Sequence, residues 1–327
     1  RVFEQGGLPD AAIFHLRRVL KEKGDYFEAW ARLAGLEQIS LARLASVDPD
    51  AARDRLARLE RFHGDAMSTW KDRPVEPGMP VAYSTVGEAY YDIGRADEAV
   101  DLFERGVAVE PLPEALDLLA TVALKRGRVD DARRQLERLA KLTHPSEHAR
   151  LHWTARTQTQ LAEIARQAKQ AAKREDHLRG ALHEINGILS ISDISQGERA
   201  IRHVERGRIL FDLGETELAM EDFRQGMSLD EEGVQVYADP LMFLVPRGHY
   251  DLAIEIYDRA MARSSLDPSL KLYFSLWVLE LARRTGHAPV NRAQSYLDAY
   301  PSRGWEGKLA RHATGSLTFE QLLAGAA

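Results

Sequence analysis

Residues 80–113 read PVAYSTVGEAYYDIGRADEAVDLFERGVAVEPLP. Apolar residues recur at helical spacing on both sides of Gly94-Arg95, which predicts two amphipathic helices joined by a tight turn. Small residues stand where those helices must cross, Gly87 in the first and Ala99 in the second. Larger apolar residues flank them (Tyr83, Val86 and Tyr90, then Phe103), and Pro111 ends the unit. One helix pair cannot bury its apolar stripe alone, so the unit must stack on a neighbour, and close approach requires Gly or Ala at the crossing.

The neighbours are present. Gly127, Ala132 and Leu136 each follow Gly94, Ala99 and Phe103 at one constant offset, which sets a second unit at 114–146. Gly207, Gly214, Ala219 and Phe223 restore the pattern at 200–233, and Gly248, Ala253, Tyr257 and Ala260 continue it at 234–267. The order of aromatic, Leu-Gly, Tyr, Ala, Phe, Ala and Pro over 34 residues resembles the tetratricopeptide repeat (TPR). In 80–113 only Val86 for Leu and Gly106 for the second Ala depart from that pattern. The resemblance implies an all-α, right-handed superhelical solenoid of antiparallel helix pairs, about eight in number, with first helices lining the concave face.

Outward from these units the register loosens. Residues 1–79 read as degenerate repeats followed by a proline-rich loop. Leu8 to Lys23 is a second helix with Ala12, Leu16 and Val19 inward, and Ala29, Trp30, Leu33, Ala34, Ala52, Leu56 and Leu59 mark a further pair. Three prolines at 74, 77 and 80 predict a loop. The segment 80–146 forms two well-matched repeats. Residues 147–199 form an extended helical pair, with a long polar helix to about Gln170 and Leu178, Leu182 and Ile185 inward in its partner. Residues 200–267 form two repeats, though Pro240 and Pro246 predict a short, kinked or broken helix there. Residues 268–327 form a repeat-like pair and a cap. The tail GWEGKLARHATGSLTFEQLL (304–323) is similar to a closing segment of some bacterial TPR proteins, adaptor lipoproteins among them. It predicts a short helix from Thr318 whose Phe319, Leu322 and Leu323 cover the last repeat.

Composition bounds the function. The net charge of -6 and pI near 6.0 give nucleic acid no electrostatic footing. Arginine supplies 35 of the 44 basic residues, but scattered along the chain rather than clustered. With no cysteine there is no disulfide, thiolate metal site or cysteine nucleophile. No apolar run approaches the ~18 residues of a transmembrane span. The chain opens at Arg1 without methionine, inside a helical pattern, so an upstream signal sequence, lipid anchor or further repeats are expected. Cytoplasm and periplasm fit equally. No Gly-rich phosphate loop and no nucleophile motif is present, so the chain reads as non-catalytic, with no cofactor.

Two sets of side chains remain as site candidates. His148 and His152 are four apart on one helical face, a spacing that chelates metals, although only His144 or Glu147 stands near enough in sequence to add a ligand. As a metal site the pair is weak; surface histidines at a repeat junction are the plainer reading. The second set is implied by the TPR resemblance, which assigns groove positions. These are Ser84, Thr85, Glu88, Tyr91 and Asp92, then Glu114, Asp117, Leu118, Thr121 and Lys125. In 200–233 they are Ile201, Val204, Glu205, Arg208, Phe211 and Asp212. The first stretch is net acidic, which fits a protein or peptide partner of basic character. Only two asparagines occur, Asn186 and Asn291, and neither stands where TPR peptide-carboxylate clamps or asparagine ladders need them. The reading is an interaction scaffold or adaptor. The alternatives are a structural subunit of a bacterial envelope, secretion or motility assembly, or the repeat region of a larger regulatory protein or enzyme.

Overall fold

A glycine pressed beneath a phenylalanine ring recurs through the computed structural model, which describes residues 9–23, 26, 29–30, 32–33, 35–37, 57, 79–92, 94–301 and 304–323. A Cβ at Gly87 would lie 2.6 Å from Phe103 Cε1. At Gly207 it would lie 2.7 Å from Phe223 Cε1 and 2.9 Å from the Ala219 carbonyl oxygen. The helices carrying these residues are α2 (Met79–Asp92) with α3 (Ala96–Val109), and α8 (Gln196–Asp212) with α9 (Thr216–Leu229). Gly106 and Gly226, which replace the expected alanine, explain themselves in the same way. Added methyls would sit 3.2 Å from Tyr83 Cβ and 2.9 Å from the Ala200 carbonyl oxygen. The turn glycines Gly94 (φ 84°) and Gly214 (φ 88°) take the left-handed conformation that a Cβ disfavours.

The other helices are α1 (Pro9–Glu22), α4 (Pro113–Lys125), α5 (Val129–Ala140), α6 (Glu147–Gln167), α7 (Ala171–Ser190), α10 (Gln235–Leu244), α11 (Tyr250–Met261), α12 (Pro268–Thr285), α13 (Asn291–Asp298), α14 (Gly304–Ala313) and α15 (Phe319–Leu323). Their ends follow local chemistry. The side chains of Ser146, Ser195 and Asp267 accept hydrogen bonds from the amides of Ala149, Glu198 and Ser269, at 3.1, 3.1 and 2.7 Å. Gly286 closes α12 at φ 73°. Of the second degenerate pair, Ala29, Trp30 and Leu33 are buried, while Ala34, Ala52, Leu56 and Leu59 lie outside the described residues, as does the loop over 72–78.

The chain divides into two compact units, Arg1–Arg174 and Glu175–Ala327. In the first, α2 to α5 stack around Tyr83, Tyr90, Phe103 and Leu116, with Trp30 and Leu33 in the same core. A second cluster joins Ala120, Ala132 and Leu136 to Ile164 of α6. In the second, α8 to α12 enclose Phe223, Tyr237, Tyr257 and Phe274. The antiparallel pairing within each unit is that of a TPR solenoid.

Polar groups pin the second unit. Buried Asp222 of α9 accepts from Arg206 Nε and Nη2, both at 2.7 Å, and lies 2.8 Å from His203 Nδ1. Arg206 Nη1 also reaches Asn186 of α7 at 2.9 Å. Second helices of successive pairs are joined by half-exposed ion pairs. Arg224 donates to Glu255 at 2.6 Å, and Arg292 reaches Asp258 at 3.4 Å.

Helix α10 runs continuously through Pro240 for ten residues and stops before Pro246. Pro240 removes the donor that would pair with the Val236 carbonyl one turn back, and Pro246 ends the helix, so it is short rather than broken. The end of the chain differs from its expected form. Thr318 begins α15, its amide donating to Gln321 Oε1 at 3.0 Å and its Oγ1 accepting from the Gln321 amide at 3.2 Å. Leu322 is buried, but Phe319 is 61 % exposed, touching only the edge of the fold beside His312. A five-residue helix has one inward stripe, and Leu322 occupies it. The side chain of Leu323 lies outside the described residues.

Gly207→Ala is expected to lower stability by about 1–3 kcal/mol, because its methyl meets a backbone oxygen as well as a ring. Gly197→Ala, whose methyl has only Asp230 Oδ2 at 3.7 Å, is expected to raise it by about 0.4–1 kcal/mol. Urea midpoints read both; equal midpoints for the two variants defeat the crossing argument.

Candidate functional site

The first helices of successive pairs bring side chains together at two places. In the first unit, Lys125 at the end of α4 donates from Nζ to the Tyr91 hydroxyl of α2 at 2.5 Å, with Nζ 4.9 Å from the ring centre. These residues stand one repeat apart. With Gly94, Ala96, Val122 and Arg126 they line an open cavity of about 370 Å³. Arg126 is held by Asp97 at 2.7 Å. The hollow therefore presents an aromatic ring and an ammonium at its mouth.

The remaining candidates of this unit are distributed unequally. Ser84 is buried and donates to Glu88 Oε1 at 3.3 Å, and Thr85 returns its hydroxyl to the Val81 carbonyl at 3.0 Å. Glu114 is exposed in the first turn of α4, Thr121 is half-buried, and Leu118 packs on the core. The side chain of Asp92 lies outside the described residues. Asp117 is 5 % exposed, and its carboxylate is taken up by its own chain. Arg156 Nη2 donates to Oδ2 at 2.6 Å and Gln160 Nε2 to Oδ1 at 2.5 Å, both from the long helix α6. At that point the first helix of the unit binds the protein itself.

In the second unit Phe211 of α8 meets Phe243 of α10 edge to face, with ring centres 5.5 Å apart, and His249 at 4.6 Å. The guanidiniums of Arg208 and Arg247 lie 5.5 and 3.8 Å from the centre of the Phe243 ring. Two residues of α10 complete this face and were not among the candidates. Asp239 and Met242 follow Glu205 and Arg208 by one repeat, so the 34-residue offset was the signal that located them. Met242 is 59 % exposed. Asp239 is half-buried and makes no hydrogen bond or ion pair among the described residues. Burial holds its carboxyl above the ordinary carboxylate range; Arg208 opposes this and Glu205 adds to it.

His148 and His152 lie half-buried on α6, with the His152 ring edge-on to Trp153 at 4.7 Å. Glu147, the nearest carboxylate in sequence, is engaged by Arg150 at 2.7 and 2.9 Å. Among the described residues no group of three or more His, Cys, Asp or Glu is arranged to hold a metal ion, and no helix is long and apolar enough to cross a membrane.

Comparison with known proteins agrees with this geometry. The tetratricopeptide repeat model matches residues 203–232, the α8–α9 pair with the Gly207–Phe223 crossing. Among solved structures, a thermophilic TPR protein of Thermus thermophilus, TTC0263, is 25 % identical, with a TM-score of 0.46 over 61 % of this chain and 99 % of that one. A monomeric mutant of human IFIT1, solved with m7Gppp-AAAA, is 14 % identical, with a TM-score of 0.52 over 97 % of this chain and 68 % of that one. That likeness concerns the fold alone. No curated protein matches the sequence. Residues 203–232 match a tetratricopeptide repeat, and the helix pairs have the fold of a TPR solenoid.

Asp117→Ala is expected to cost about 1–3 kcal/mol in urea denaturation, since it leaves the buried Gln160 amide only the residue 117 carbonyl oxygen, at 3.4 Å, as acceptor. Arg156→Ala costs less, its side chain being 44 % exposed. Asp117→Ala at wild-type stability would show that the carboxylate is not engaged. A second expectation concerns pH. The folded Asp239 carboxyl titrates above its unfolded value, so its neutral form is favoured by folding and its ionisation costs stability. Asp239→Asn should therefore be more stable than wild type at pH 7. The gap should close as the pH falls toward the ordinary carboxylate value near ~3.9, a course that paired melting curves follow.

Proposed function

We propose that this protein is an interaction scaffold that holds a segment of a partner protein along its first-helix face. The TPR fold implies protein partners in general, because stacked helix pairs present an extended surface without building a catalytic cleft. The observation that carries the more specific reading is the contact between first helices of successive pairs, which leaves aromatic and cationic side chains together on each face. Tyr91 and Lys125 frame a cavity in one unit, while Arg208 and Phe211 meet α10 beside exposed Met242 in the other. Tyrosine and arginine side chains are among those from which interfaces draw most of their binding energy, and methionine is enriched there.

A second reading has its own observation. Trp305 and Phe319, 41 % and 61 % exposed, leave two large apolar side chains uncovered near the end of the fold. That supports attachment through the chain end within a larger assembly, the envelope, secretion or motility alternative.

The experiment is a capture from extracts of the source cell, with residues 1–327 as bait and quantitative mass spectrometry as readout. The comparison baits carry Tyr91→Ala with Met242→Ala, or Trp305→Ala with Phe319→Ala. These substitutions remove exposed apolar contacts and add no charge. Retention of a protein should fall at least tenfold on the first bait and persist on the second. The opposite pattern moves the site to the chain end.

A further inference from the structure

In the second unit one carboxylate is half-withdrawn from water and given nothing in return. The charges around it have contacts of their own. Glu205 accepts from Arg202 at 2.7 Å, Asp212 lies 3.9 Å from Arg247, and Arg208 and Arg247 rest on the Phe243 ring. Among the described residues Asp239 has none of these: no hydrogen bond, no ion pair, only the longer-range pull of Arg208 and push of Glu205. An ionised carboxylate can accept about four hydrogen bonds. With part of its hydration lost and no protein partner among the described residues to replace it, the charged form is disfavoured in the free protein, and a cation from outside would offset that.

The surroundings define what such a cation must be attached to. Asp239 and Met242 are three apart on α10, so they share a helical face, and Met242 is the most exposed large apolar side chain described in this unit apart from Phe319. Phe211 and Phe243 lie beside them across α8 and α10. A free metal ion or small amine would use the charge and ignore the thioether. A peptide with a basic side chain next to an apolar one uses both.

We propose that Asp239 is the receptor for a lysine or arginine side chain of a bound peptide, with Met242 receiving the apolar neighbour of that residue. This rests on the first-helix face being the binding surface and adds to it the chemistry of the ligand. Because Asp239 is strained by burial in the free protein, it is a position where recognition and stability oppose each other. Removing the charge stabilises the empty scaffold and weakens the complex.

The test is a random 12-residue peptide library displayed on phage and panned against the full chain. Enriched sequences are synthesised with acetylated N-termini, so that side chains are their only cations, and titrated against wild type and Asp239→Asn by fluorescence anisotropy. Enriched peptides should carry Lys or Arg beside an apolar residue and bind Asp239→Asn at least tenfold more weakly. Replacing the basic residue by Gln should cost as much on wild type and nothing further on Asp239→Asn. A melting temperature of Asp239→Asn at or above that of wild type shows that lost binding is not lost folding. Peptides without a basic residue, equal affinity for both proteins, or no enrichment overturn the proposal. If affinity is indifferent to Asp239 yet falls with Tyr91→Ala and Met242→Ala, the peptide-binding face stands and only its basic specificity fails.

Discussion

A phenylalanine ring laid over a glycine holds the clearest repeats closed, and most of the architecture depends on that contact. At Gly87 and Gly207 the ring of the second helix occupies the space where any other residue would place its Cβ. The two helix axes then approach closely enough for Gly106 and Gly226 to meet the opposite helix as well. Closing the pair at both ends of the crossing turns two marginal helices into one rigid element. Only then do the first helices stand in a constant register, so that residues one repeat apart share a face. The Tyr91–Lys125 pair is a consequence of that spacing, and Phe211 and Phe243 meet across the first helices α8 and α10 at a separation two residues shorter.

Within this framework the two units use their faces differently. In the first, α6 is longer than a repeat helix and turns Arg156 and Gln160 onto Asp117, so part of the face is satisfied internally. What remains open there is the hollow at Tyr91 and Lys125. In the second, the aromatic pair of α8 and α10 is roofed by guanidiniums, while Asp239 is left unmatched among the described residues. A first-helix carboxylate is thus satisfied internally in one unit, at Asp117, and left open in the other, at Asp239, among the described residues. Which of the two holds at a given position depends on what the adjacent helices supply.

The sequence reveals the helix pairs because their determinants are local: glycine at the turn, small residues at the crossing, apolar spacing of three and four. It also assigns each residue a register position, since register follows from the repeat, although the assigned positions Ser84, Asp117 and Val204 are buried. It does not reveal whether a groove residue is free. Asp117 sits in the expected place, but its partners come from a helix that departs from the repeat pattern, so no spacing rule leads to them. Asp239 and Met242 follow from the offset alone, yet Pro240 between them argues against a regular helix until the fold shows α10 continuing through it. Phe319 illustrates the opposite limit. A five-residue amphipathic segment does not carry enough periodicity to say which of its apolar residues turns inward.

The ion pairs that join the second helices of the second unit set which of its contacts respond to salt. Arg224–Glu255 and Arg292–Asp258 bridge neighbouring repeats, and all four side chains are partly in water. Each such link is weak, of order 0–1 kcal/mol, and dissolved ions screen it. The buried rings of the same repeats, Phe223, Tyr237 and Tyr257 among them, are out of reach of dissolved ions, so ionic strength acts on the links between second helices and leaves the core untouched.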